Sequence, residues 1–126
     1  MKLRMRSNSI RLRLTQSEVG QLADTGSVEE TIDFGTDCGG SFTYGLVIDD
    51  ERSEVLSIAD KGRITVFLPR TLAESWIGTE TVGVEADQPI DVSGVLRLLI
   101  EKDFTCVHPR PGEDGSDAFP NPSAAK

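Results

Sequence analysis

The chain repeats itself. Residues 2–48 and 56–102 carry the same succession of short alternating stretches around one helical stretch, and they overlay at an offset of 54 without a gap. Ile10, Leu12 and Leu14 fall on Ile64, Val66 and Leu68, and Val19 and Leu22 fall on Ala73 and Trp76. Val28 falls on Val82, while Phe42, Tyr44 and Leu46 fall on Leu96, Leu98 and Ile100. Apolar residues recur every two positions on a half-buried strand and every three or four on a helix. A register shared across both kinds of element therefore predicts ββαββ, twice. Short strands with two short helices imply an α+β, strand-rich domain with pseudo-two-fold internal duplication. It would be built as a small barrel or as two packed sheets.

Local signals place the elements. Leu3 and Met5 alternate with Lys2, Arg4 and Arg6; a turn at Ser7-Asn8-Ser9 leads into a second strand over Ile10–Leu14. Thr15-Gln-Ser-Glu18 has the form of a capping box, and Gly26 is placed to stop the helix it starts. Val28 to Phe34 reads as a strand whose apolar face Glu30 interrupts, and Phe42 to Ile48 as another. In the second half, strands over Val55–Ala59 and Ile64–Leu68 precede Pro69, which suits the first residue of a helix. Leu72, Ala73 and Trp76 form that helix's face and Gly78 ends it. Val82 to Ala86 is a strand, 87–94 a polar linker, and Leu96 to Ile100 the last strand. Residues 1–108 form one globular body. From Pro109 to Lys126 the chain turns rich in Pro, Gly and acid, a tail without its own core that Phe119 alone is suited to dock.

Charge narrows the partners. The net charge is −8, yet residues 1–14 hold five basic side chains and no acidic one, leaving 8 basic against 21 acidic groups in the remainder. Such a balance disfavours generic nucleic-acid binding, which needs net positive surface, and leaves room for a local anion site near residues 2–13. No apolar run approaches the roughly 20 residues that cross a bilayer. A cytoplasmic location is expected, with Cys38 and Cys106 reduced.

Two constellations carry candidate chemistry. Arg4, Arg6, Arg11 and Arg13, with Arg97 a candidate to join them, form one face if the first two strands pair, and guanidinium forks read phosphate or carboxylate. Turned outward, the same arginines would pair with acids such as Glu29, Glu30 or Glu85. The second constellation is Glu101-Lys102-Asp103-Phe104-Thr105-Cys106-Val107-His108, where a strand ends. Glu101, Lys102, Asp103 and Arg110 are its binding candidates. Asp103, Cys106, His108 and Asp117 combine thiolate, imidazole and carboxylate in a set that would suit zinc or iron. Cys106 and His108, two apart on extended backbone, also resemble a nucleophile beside its base, although no third group orients the imidazole. Neither a P-loop nor a G-x-S-x-G elbow occurs.

Two resemblances follow from these residues. Gly62-Arg-Ile-Thr-Val-Phe-Leu-Pro-Arg-Thr-Leu-Ala-Glu with Thr79-Glu-Thr-Val-Gly-Val-Glu looks like the swapped-hairpin DNA-binding domain of bacterial transition-state regulators and addiction antitoxins. That resemblance implies interlocked hairpins, here within one chain, and a regulator. Leu12-Arg-Leu-Thr-Gln-Ser-Glu-Val, Glu101-Lys-Asp-Phe-x-Cys and Ser116-Asp-Ala-Phe-Pro-Asn-Pro resemble a bacterial family of about 120 residues without an assigned activity. The function expected is a small non-enzymatic binding or accessory protein, monomer or homodimer, whose partner is a protein or a small anionic ligand. The alternatives are a metal-dependent or anion-processing enzyme using the 101–108 cluster, and a swapped-hairpin-like transcriptional regulator.

Overall fold

The computed structural model describes residues 1–91, 94–104 and 117–120. Eight strands and two helices follow one another as β1 (Lys2–Arg6), β2 (Ser9–Leu14), α1 (Gln16–Thr25), β3 (Ser27–Asp33), β4 (Ser41–Asp49), β5 (Leu56–Asp60), β6 (Arg63–Pro69), α2 (Arg70–Gly78), β7 (Gly83–Pro89) and β8 (Val95–Lys102). They build two four-stranded sheets, ordered β1-β2-β8-β7 and β3-β4-β6-β5. In each sheet the central pair is parallel and the outer pairs antiparallel. Each sheet thus joins one hairpin from the first half to one from the second, so neither half completes a sheet alone. Among the described residues the sheets keep open edges at β1, β7, β3 and β5, and they do not close into a barrel.

The duplication is visible in the hydrogen-bond register. Ile10 sits opposite Leu98 between β2 and β8, and Ile64 sits opposite Tyr44 between β6 and β4, the same pairing displaced by 54. The overlay is not gap-free, however. Val28 pairs with Leu46, and its counterpart opposite Ile100 is Val84, not Val82, so β7 is displaced by two further residues. The helix ends explain the slip. Gly26 (φ 85) takes the left-handed cap and its N–H closes on Leu22, letting α1 turn into β3 within one residue. α2 ends on an extended Thr79, and Val82 O accepts from the indole of Trp76 at 3.0 Å, so β7 starts later. With the slip Glu29 falls on Glu85, while Glu30 falls on Ala86 and keeps no acidic counterpart.

Other boundaries differ by a residue or two. Pro69 closes β6 and caps α2 from outside, with φ −56 and ψ 141. Pro89 still pairs with Val95, which shortens the expected 87–94 linker. The capping box forms as its residues require: Thr15 Oγ1 accepts from Glu18 N at 3.4 Å, and Glu18 Oε1 accepts from Thr15 N at 2.9 Å. Inward-facing Leu12, Leu14, Leu22, Leu46, Leu68, Trp76, Leu98 and Ile100 are fully buried between the sheets and helices. Each such aliphatic side chain contributes about 1.5–3 kcal/mol.

Candidate functional site

β8 alternates, and its alternation divides the polar run at its end. Leu98, Ile100 and Lys102 point inward; Arg97, Leu99 and Glu101 point outward. Glu101 therefore joins the arginine face, where it accepts from Arg11 Nε. Asp103 is buried, pairs with Lys2 Nζ at 3.1 Å, and its backbone N–H donates to Leu14 O at 2.8 Å. Asp117 lies at the start of α1, where its carboxylate accepts from Ser17 N at 3.2 Å and Ser17 Oγ at 2.9 Å. Those hydrogen bonds, from Ser17 and then Thr15, hold its pKa below the ordinary value. Cys106, His108 and Arg110 lie outside the described residues. Among the described residues no group of three or more His, Cys, Asp or Glu is placed to hold a metal ion.

Lys102 ends elsewhere. Only 7% of it is exposed. Its Nζ donates to Thr79 O at 2.7 Å, at the carbonyl end of α2, a helix with no basic residue in its own last turn. The ammonium also lies 5.6 Å from the Phe119 ring centre. Phe119 reaches this place because its N–H donates to Asp103 O at 2.6 Å and its ring packs on Phe104, centroids 5.9 Å apart. Around the lysine opens a cavity of about 670 Å³ lined by Ile77, Thr79, Glu80, Val82, Lys102, Phe104, Phe119 and Pro120. Burial pushes the Lys102 pKa below its ordinary value, and the charge of Glu80 opposes that only in part.

The arginine ladder faces outward. Arg4 stands opposite Arg11 and Lys2 opposite Arg13 across β1 and β2. Of the partners named for an outward face, Glu85 pairs with Arg97 as expected, whereas Glu29 goes to Arg63 and Glu30 to the N-terminal ammonium.

A residue match identifies the chain's kin. The model of a family of unknown function, DUF7009, matches residues 1–123. The chain belongs to that family. No curated protein and no solved structure matches it. Membership in DUF7009 agrees with the expected family of about 120 residues and assigns no residue a role. Among the described residues no helix is long and apolar enough to cross a membrane.

One polar cluster went unseen in the sequence. The Met1 ammonium is enclosed by Glu18 and Glu30, the latter at 2.7 Å, and Tyr44 donates to Glu30 at 2.7 Å or Met1 O at 3.1 Å. Burial alone would lower the ammonium's pKa, but hydrogen bonds and charge from Glu18 and Glu30 outweigh it and raise it. Burial, then the neighbouring Glu30, pushes Tyr44 up to about 12. The legible signal was Glu30 itself, a carboxylate at an inward position of β3.

Proposed function

We propose that this protein is a non-enzymatic binding protein whose ligand is a small molecule with an apolar body and one anionic group, held at Lys102. One observation carries this reading: a lysine 7% exposed, with no carboxylate partner among the described residues, faces an open apolar cavity of about 670 Å³. A desolvated cation is costly, and Glu80 in the same lining offsets that only in part and forms no ion pair with it. A ligand carboxylate would offset the rest while its tail covers Ile77, Val82, Phe104 and Phe119. The volume falls in the range of small-molecule sites, roughly 300–1,000 Å³. The structural alternative is that Lys102 serves only as a cation at the end of α2. The two differ in what removing it does to stability.

Octanoate is the probe, with octylamine as its cationic counterpart, titrated calorimetrically into the full chain. Octanoate is expected to bind and octylamine not. Lys102→Met should weaken octanoate binding at least about tenfold, or ~1.4 kcal/mol, while leaving the unliganded protein as stable or ~0.5–1 kcal/mol more stable. Equal affinity in the variant, or a variant clearly less stable than the native chain, would return Lys102 to a purely structural role.

A further inference from the structure

The β1–β2 hairpin and its counterpart β5–β6 have the same register, with Lys2 opposite Arg13 in one and Leu56 opposite Phe67 in the other. Each outer face also carries a shallow depression of similar size, about 340 Å³ on β1–β2 and about 330 Å³ on β5–β6. Their chemistry differs. Where the first presents Arg4, Arg6, Arg11 and Arg13, the second presents Ile58, Asp60, Thr65 and Phe67 at the equivalent positions. The backbone therefore forms the hairpin without the arginines, and the fold does not require them.

Their placement is moreover unfavourable by itself. Like charges directly opposite across an antiparallel pair destabilise it, and here two such pairs, Lys2–Arg13 and Arg4–Arg11, lie side by side. Acids relieve only part of this: Asp103 pairs with Lys2 and Glu101 with Arg11. Among the described residues the guanidinium groups of Arg4, Arg6 and Arg13 have neither an ion-pair nor a hydrogen-bond partner, in a chain where acids outnumber bases 21 to 13. A surplus of acid that leaves three guanidinium groups of one hairpin face unneutralised points to a counter-ion from outside.

We infer that the outer face of β1–β2 binds a small, multiply charged phosphate-class oxyanion. Arg4 and Arg13 are its direct donors, and Lys2, Arg11 and the more distant Arg6 raise the local potential around it. Guanidinium forks match phosphate oxygens bidentately, and two free forks within one depression, beside Lys2 and Arg11, call for more than one charged group on the ligand. A nucleic acid would offer the same phosphates, but the −13 carried by residues 15–126 repels a long polyanion, which must run past it, more than a compact one held within the basic face.

Tripolyphosphate titrated into the full chain at low salt tests this, with a short DNA duplex in a parallel arm. Tripolyphosphate is expected to bind, its affinity falling steeply between roughly 50 and 200 mM NaCl. The Arg4→Ala/Arg13→Ala variant should lose at least about tenfold in affinity, and Arg63→Ala, on the equivalent hairpin, should lose none. Because these side chains are on the surface and each is one half of a like-charge pair, thermal unfolding should show the double variant at least as stable as the native chain without ligand. Absence of tripolyphosphate binding, equal affinity in the double variant, or binding confined to the duplex would overturn the inference.

Discussion

The two seams between the sheets stand in equivalent places and are closed by different chemistry. Where β1 meets β3, Met1, Glu18, Glu30 and Tyr44 form a charged, hydrogen-bonded cluster. The equivalent positions at the seam of β5 and β7 hold Val55, Leu72, Ala86 and Leu98, all apolar. There the link is Gln88, whose amide accepts from Ser57 N at 2.7 Å and returns a hydrogen bond to Ser57 O at 3.1 Å. Beside that second seam lies a cavity of about 630 Å³ whose lining includes Val55, Leu72, Ala86 and Gln88. One backbone pattern thus accepts an ionic clasp or a neutral one. The lesson is that the duplication governs where contacts are made and leaves their chemistry free, which is why each half carries charge the other lacks.

Three changes would break or sharpen this contrast. The largest effect is expected at the helix position that the halves fill unequally, Leu22 in α1 and Trp76 in α2, both fully buried. Trp76→Ala should cost about 3–5 kcal/mol in chemical denaturation, because it removes the larger side chain and the indole hydrogen bond to Val82 O, which keeps only the one from Lys102 N. Next comes the ionic clasp. Glu30→Gln should cost about 1–2 kcal/mol at neutral pH, discounted because the Glu30 side chain is partly exposed. Its pH profile is the sharper readout. The folded ammonium's pKa is raised above 8.0, so its stabilisation is full below that value and is lost as pH rises through the folded pKa. Tyr44, raised from 10.0 to about 12, extends the same decline to higher pH. Stability measured from pH 7 to 10 should therefore fall in the native chain and fall less in Glu30→Gln; parallel curves would mean that the clasp is not ionic. The smallest effect is at the neutral seam: Gln88→Ala should cost about 1 kcal/mol, with the native pH dependence retained.

Much of the architecture was readable from residue order. Thr15, Glu18 and Gly26 mark both ends of α1 because capping is a local event, settled by side chains three residues apart. The β1–β2 hairpin and the arginine face follow from period-two alternation in the same way. The two-residue slip of β7 did not, because it depends on how far the buried indole of Trp76 reaches to Val82 O, a packing matter that no period of two or of 3.6 encodes. Nor did the splitting of Glu101 from Lys102 show as a division of labour, although the parity of Leu98 and Ile100 already placed Lys102 inside.

By itself the sequence determined the succession ββαββ, its repetition, the inward and outward sides of each strand, and the concentration of cations in residues 2–13. All of these are set by periods and propensities within a few residues. The tertiary structure alone decided that hairpins of opposite halves share a sheet and that the sheets stay open. It also decided that the Met1 ammonium finds Glu18 and Glu30, and that Phe119 folds back to wall a cavity around Lys102. Those outcomes join residues up to a hundred positions apart, and no local preference encodes which distant partner a buried charge or an edge strand will meet.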